Sequence, residues 1–425
     1  FRVEKTMGGG RYDRIVKMIE QSEKLKSTAE DKAARLADRL VPYTLGGTVL
    51  TYLLTRNVTK MLAVLMVDFS CALKLAMPIA VLSAMREASA SHISVKGGRF
   101  LEAVANANTV VFDKTGTLTY ATPKVADIVT FADYKEEDML RLAACLEEHY
   151  PHSMANAVVE TAKERGLSHE EYHSQVQYIV AHGISSMVEG KKVIIGSSHF
   201  VFEDEGCHVP AGDEEKFRSL PAAYSHLYLC IAGELAAVIC IYDPLRKEAA
   251  DAVRALHACG IDKVVMMTGD NEKTAAAVAR AVGVDEYHAG VLPEDKAAYI
   301  RARRAEGHTV IMIGDGVNDS PALSEADAGI AISTGAAIAR EIADITIASE
   351  DLFELVTLRR LSTELMARIH RNYRFIVSFN FSLIVLGVAG ILPPTTSALL
   401  HNTSTLAISL KSMTNLLPAQ EPEHQ

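Results

Sequence analysis

Several signals that would narrow the class of this 425-residue chain are missing from it. None of its six cysteines (Cys71, Cys145, Cys207, Cys230, Cys240, Cys259) stands in a Cys-x-x-Cys pair. That argues against a disulfide framework and fits a reducing cytosol. Positive charge is not in excess, since the formal net charge is −10. Nucleic acid is therefore not expected as a partner. With 26 glycines and 13 prolines no low-complexity class is indicated, and no internal repeat is visible. The apolar stretch 41–55 is shorter than the ~20 residues a membrane span needs. What the chain has is bulk: 49% hydrophobic content over this length supports two or three domains.

Its most specific segment is Asp113-Lys114-Thr115-Gly116-Thr117-Leu118-Thr119. It follows Val110-Val111-Phe112, which reads as a buried strand. An aspartate at the end of such a strand lies at the carboxyl edge of an open α/β sheet, where ligands bind. The Thr/Gly turn after it offers backbone N–H groups to an anion. A carboxylate there can attack a phosphoryl group and carry it as an aspartyl-phosphate. Two further loops follow apolar runs in the same way. Thr268-Gly269-Asp270 follows 264–267, and Gly314-Asp315-Gly316-Val317-Asn318-Asp319 follows 310–313. Strands alternating with helical patterns predict a doubly wound parallel sheet, with the three acidic loops at one edge. So much negative charge repels phosphate unless a divalent cation intervenes, and Mg²⁺ suits carboxylates with phosphate oxygens. Lys296 could add a positive charge.

The flanks read as membrane segments. Besides 41–55, candidate spans are 61–85, 375–394 and 396–417. Asp68 and Lys74 interrupt the second. Arg371 and Arg374 precede the third, which favours the cytosolic side there. Four spans in two hairpins would bracket a soluble block of roughly 270 residues. Within that block, 124–240 carries its own α/β pattern and reads as a domain inserted after the first strand of a phosphotransfer core, a natural lid for a nucleotide.

The three loop motifs together resemble those of the heavy-metal (type IB) P-type ATPases. Lys96-Gly97-Gly98 and the two closing helices point to the same branch. The resemblance covers essentially the whole chain. It implies a haloacid-dehalogenase-like phosphotransfer domain, an inserted α/β nucleotide domain and helical membrane segments. The implied domains are 1–37, the end of an actuator domain and a linker helix; 38–90, a membrane hairpin; 91–123 and 241–360, the two parts of the phosphorylation domain; 124–240, the nucleotide-binding domain; and 361–425, a second membrane hairpin and tail. The implied activity is ATP-driven transport of a metal cation in a cell membrane, with cytoplasmic catalytic domains. ATP, Mg²⁺, the transported cation, the lipid bilayer and a metallochaperone are the implied cofactors and partners.

By resemblance, Asp113 takes the γ-phosphoryl group. Asp315 and the Thr115 carbonyl hold Mg²⁺ with Asp113, Asn318 and Asp319 complete the site, and Thr268, Asp270 and Lys296 bind phosphate. Related phosphatases place an acid two residues after the nucleophile. Here that place holds Thr115, which cannot serve as a carboxylate base. The family's hydrolytic glutamate lies in a Thr-Gly-Glu loop of the actuator domain, and this sequence contains no Thr-Gly-Glu. The chain is thus expected to lack most of that domain and the first membrane helices, and to be incompetent for full turnover alone. In the nucleotide domain His152, Gly183 and Gly196 are the expected adenosine contacts, in a pattern that departs from the family's. His149 and His182 read as solvated.

The family's metal motif maps onto Asp68-Phe69-Ser70-Cys71, with Cys71 in the place of the second cysteine. His401-Asn402-Thr403-Ser404-Thr405 resembles a His-Glu-Gly-Gly-Thr motif, with Asn402 replacing the glutamate. A mixed S/N/O set of Cys71, His401, Asn402 and Asp68, with Asn380 and Met413 as further candidates, suits a borderline divalent ion rather than Cu⁺. The expectation is that Cys71 and His401 face one cavity. Lys74 reads either as a built-in counter-charge or as a side chain reaching the interface. The alternative functions are a membrane-anchored phosphatase and a non-transporting regulator.

Overall fold

The computed structural model describes residues 28–120, 122–148, 153–167, 177–179, 183–221, 224–315, 319–332, 342–349 and 351–418. Its strands in chain order are β1 (Ile93–Val95), β2 (Thr109–Asp113), β3 (Lys124–Thr130), β4 (Gln177–Ile179), β5 (Gly183–Val188), β6 (Lys191–Gly196), β7 (Ser225–Ile231), β8 (Glu234–Tyr242), β9 (Lys263–Met267), β10 (Glu286–His288), β11 (Val310–Gly314), β12 (Ala328–Ile332) and β13 (Ile345–Ile347). The chain divides into two compact units. One comprises 1–110, 255–262 and 297–425, the other 111–254 and 263–296.

The first unit joins helices to part of a parallel sheet. β11, β12 and β13 run parallel, and β1 closes that edge antiparallel through Ile93↔Ile347 and Val95↔Ile345. Every residue of β11, β12 and β13 is buried, as expected of parallel strands covered on both faces. The helix Phe353–Ala389 follows β13 in the chain and runs for 37 residues. It packs against the helices Phe69–Ala90 and Gly98–Asn106. Among the described residues it is the one helix long and apolar enough to cross a membrane.

The hairpins differ in detail from the expected spans. The third expected span, from Phe375, is the distal half of this longer helix. The expected span 61–85 is two helices, Val58–Leu65 and Phe69–Ala90. The break has a local cause: the Asp68 carboxylate accepts the Cys71 N–H at 3.2 Å and caps the second helix. Residues 41–55 are the distal part of the helix Thr28–Thr55, which carries Pro42 inside it. The last helix, Pro394–Ser412, ends before the expected limit at Leu417. The residues after it are tied down. Arg368 donates to the Thr414 and Asn415 carbonyls at 2.5 and 2.8 Å. Glu87 accepts the N–H groups of Leu416 and Leu417 at 2.7 and 2.8 Å.

The second unit is built on an antiparallel sheet in the order β3-β8-β7-β6-β5-β4. The helices Glu136–Glu147 and Ser153–Glu164 cover one face, burying Leu140, Leu146 and Val158 against Ile184, Ile195 and Leu229. The other face buries Phe200, Tyr228, Cys230 and Cys240. Burial pushes the Cys240 thiol up to about 11 and the Cys230 thiol higher still. These are inert core thiols, in keeping with the absence of a disulfide framework. β9 and β10, parallel to each other, belong to the same unit.

Candidate functional site

β2 explains the position of Asp113. Its Val110, Val111 and Phe112 are at most 2% exposed, and burying each such side chain is worth about 1.5–3 kcal/mol. The apolar run thus fixes the strand and carries its terminal carboxylate to the edge, 8% exposed. The chain then turns through Lys114–Leu118, with Gly116 at φ +72°, where glycine costs least. The Thr119 hydroxyl locks the turn, accepting the Gly116 N–H at 3.1 Å and donating to an Asp243 carboxylate oxygen.

Two ion pairs stand among the motif residues of the second unit. Lys296 Nζ donates to Asp113 Oδ1 at 2.5 Å. Lys114 Nζ lies 2.6 Å from Asp270 Oδ2. Thr268 is buried, and its hydroxyl accepts the Asp270 N–H at 3.1 Å. Asp113, Lys296, Thr268 and Asp270, chosen from sequence, therefore all fall in this unit, the first two in direct contact. The Thr117 hydroxyl is buried with no hydrogen-bond partner among the described residues, an arrangement that leaves a donor available to a ligand or water.

Lys114 and Thr119 belong to the heptapeptide but were given no role from sequence, and Asp243 and Arg246 were missed. Arg246 Nη2 donates to the Gly116 carbonyl at 3.4 Å, and its guanidinium lies 5.2 Å from the Tyr120 ring centroid. Burial holds the Asp243 carboxyl above the ordinary carboxylate range, partly offset by the Thr119 hydroxyl and the Lys114 charge. The available signal was Asp243-Pro244-Leu245-Arg246, a charged pair directly after the buried strand β8.

In the first unit, β11 ends at Gly314. A Cβ at Gly314 would lie 2.4 Å from Asp319 Oδ2. Glycine is required there because the Asp319 carboxylate folds back over the strand end. Asp319 is 1% exposed and Asp315 half-buried. Asn318 lies outside the described residues.

Of the adenosine contacts expected from sequence, His152 also lies outside the described residues, as do His149 and His182. Gly183 and Gly196 face each other across β5 and β6. A Cβ on Gly183 would sit 2.4 Å from the Ile195 carbonyl oxygen and 2.6 Å from the Phe200 ring. Close packing alone therefore calls for glycine at this position.

The residues expected at the ion site are only partly brought together. His401 is 4% exposed, with Nδ1 3.2 Å from Asn380 Oδ1. Asn380 Nδ2 donates to the Asp68 carbonyl at 3.4 Å. Cys71 and Asn402 are exposed. Met413 points outward, and its carbonyl accepts from Ser83 at 3.0 Å. Among the described residues no three His, Cys, Asp or Glu side chains gather as a metal cluster. Lys74 pairs with Asp38 at 2.5 Å. Both line a cavity of about 590 Å³ with Met77, Met85 and Lys96.

Comparison with known proteins gives these motifs their context. The haloacid dehalogenase-like hydrolase family matches residues 107–327. A zinc-exporting P-type ATPase of Mycobacterium marinum is 33% identical over 402 residues, covering 94% of this chain and 55% of the relative. A manganese-exporting P-type ATPase of Mycobacterium bovis is 33% identical over 401 residues, covering 94% and 56%. The chain thus spans about half the length of these relatives. The crystal structure of a zinc-transporting PIB-type ATPase in its E2.Pi state superimposes with a TM-score of 0.69 at 28% identity, covering 96% of this chain and 68% of that one. The chain belongs to the haloacid dehalogenase-like hydrolases, and its homologues over nearly its whole length are heavy-metal P-type ATPases.

Proposed function

We propose that this chain is the catalytic and C-terminal membrane part of an ATP-driven exporter of a divalent transition-metal cation. The observation that carries the reading is Asp113, a strand-end carboxylate 2.5 Å from the Lys296 ammonium in a largely water-excluded place. Asp113 Oδ attacks the γ-phosphorus of ATP, the bond from that phosphorus to the bridging oxygen breaks, and ADP leaves with the bond electrons. Lys296 neutralises charge on the transferred group, and Thr268 with Asp270 positions it. Most of the work is placement and charge neutralisation, as phosphoryl transfer demands.

By the motifs in sequence, the Asp113 carboxylate and Thr115 carbonyl of one unit and the Asp315 and Asp319 carboxylates of the other are oxygen donors of the kind that suits a hard divalent cation. Mg²⁺ held by these residues would supply charge neutralisation during phosphoryl transfer. The 124–240 module is the proposed holder of the adenosine, with Gly183 and Gly196 on its paired strands and His152 proposed as a further contact on the sequence resemblance alone. Thr115 cannot activate the water that would hydrolyse the aspartyl-phosphate, so that step awaits a carboxylate from elsewhere in the full-length protein. This weighs against a self-sufficient phosphatase. The intact Asp113–Lys296 pair weighs against a non-catalytic regulator.

The transported ion is assigned to the neighbourhood of His401, Asn380, Asp68, Cys71 and Asn402. Exposed apolar side chains on the flanking helices, such as Leu54, Leu82 and Leu399, fit a multi-pass setting in lipid, with the catalytic units in the cytoplasm. A metallochaperone is the proposed donor of the ion. The test is phosphoenzyme formation by the full-length protein with ATP and metal. The wild type should give an acid-stable, hydroxylamine-sensitive species, and Asp113→Asn none. A phosphorylated Asp113→Asn variant would remove Asp113 from the role.

A further inference from the structure

Arg359 lies near the start of the long helix Phe353–Ala389 and is 8% exposed. Its guanidinium donates in three directions. Nη1 reaches the Val104 carbonyl, Nε the Cys259 carbonyl at 3.2 Å and Nη2 the Gly260 carbonyl at 3.4 Å. Val104 is in the last turn of the helix Gly98–Asn106, and Cys259 and Gly260 follow the helix Ala249–Ala258. Carbonyls at helix C-termini lack intrahelical partners and form the negative end of the helix dipole. A planar guanidinium, always charged and with five donors, suits three such acceptors at once.

These acceptors lie shortly before β2 and β9, two strands that end at or just before motif residues. Asn108 precedes β2, which ends in Asp113. Asp262 precedes β9, after which come Thr268 and Asp270. Thr309 precedes β11, after which comes Asp315. The three lead-ins are knotted together: the Asp262 N–H donates to the Asn108 carbonyl at 3.0 Å, and the Asn108 and Thr109 N–H groups donate to the Thr309 carbonyl at 3.2 and 3.3 Å. The same helix continues to Asn380, the partner of His401, about 30 Å further along its axis by the helical rise per residue.

We propose that Arg359 is a positioning residue that couples events at Asp113 to the ion path. This rests on the transport reading above. A change in strand position at the phosphate site moves the knot at the strand entrances. The guanidinium passes that displacement to the long helix, which delivers it to Asn380 and His401. A single planar fork with three fixed acceptors makes the joint stiff. Lysine, a point charge on a flexible stem, makes it looser.

The test uses the full-length protein as wild type, Arg359→Gln and Arg359→Lys, with ZnCl₂ and, separately, MnCl₂ as probes. Three quantities are measured: phosphoenzyme formed from ATP with and without metal, phosphoenzyme formed from inorganic phosphate without metal, and Tm. For Arg359→Gln the factor by which metal stimulates phosphorylation should fall by roughly tenfold, within the usual range of coupling between sites. Its phosphorylation by inorganic phosphate should stay near wild type, and Arg359→Lys should lie between. An unchanged stimulation factor in Arg359→Gln overturns the inference, as does an equal loss of both phosphorylation reactions at an unchanged Tm. If the glutamine variant fails to fold, Arg359→Lys decides, and a wild-type factor there is again fatal. Absence of metal dependence in the wild type itself would sink the transport reading first, and this inference with it.

Discussion

Asp113 and Lys296 are 183 positions apart in sequence and 2.5 Å apart in space. Removing one partner of such a buried pair typically costs about 3–5 kcal/mol, because the other charge is left alone. The motif residues Asp113, Thr268 and Asp270 were legible because a short polar motif carrying an acid follows an apolar run in each case, a pattern set by local chain. Asp243 follows an apolar run too, but its partner, the Thr119 hydroxyl, lies more than a hundred residues earlier and is joined to it only by the fold. Asp243 also yields a pH prediction. Its folded pKa is raised by burial above the ordinary 3.8. The proton it retains therefore adds stability that is fully present below 3.8 and is lost as pH rises through the folded value. Relative to Asp243→Asn, the wild type should lose Tm as pH rises across that acid window. Paired thermal melts from about pH 4 to about pH 7 test this, and a Tm difference that does not vary with pH counts against the assignment.

At the scale of elements, helices and strands were more legible than their limits. The apolar content of 61–85 was plain, but hydropathy does not register a cap, and the Asp68 carboxylate starts a new helix within that stretch. The long helix was anticipated only in its apolar half, because the first half carries the charges that grip its neighbours, Arg359 and Arg368 among them. Gly183 illustrates a different limit. The family resemblance suggested an adenosine contact there, yet β5 and β6 approach too closely at this point for any side chain. Gly183→Ala should accordingly destabilise the fold by about 1–3 kcal/mol, the usual cost of overpacking, whatever its effect on ATP binding. A thermal melt of the variant with no shift in midpoint would show that the strand pair has room to yield.

At the scale of the molecule, the division into a phosphotransfer core with an inserted module followed from the alternation of strands and helices. The sequence named Asp68, His401 and Asn380 among the candidate ion ligands, but not which of them meet, because groups on separate helices converge only in three dimensions. His401, Asn380 and the Asp68 carbonyl form a chain of contacts with nitrogen and oxygen donors. Such donors favour a borderline or harder divalent ion over Cu⁺. The full-length protein should therefore show ATP hydrolysis stimulated by Zn²⁺, Mn²⁺, Co²⁺ or Fe²⁺ and abolished by a chelator. His401→Ala should remove the stimulation while sparing ATP binding. An assay panel in which Cu⁺ alone stimulates would contradict this ligand set.

The inserted module leaves and rejoins the parent fold at one point. Tyr120 N–H donates to the Pro244 carbonyl, Arg246 N–H donates to the Leu118 carbonyl, and Thr119 bridges Leu245. Its first and last strands, β3 and β8, are hydrogen-bonded partners. Entry and exit side by side mean that the insertion adds little closure entropy to the parent chain, whatever its length. Lengthening or trimming the region between these stitches should therefore cost the fold that holds Asp113 little.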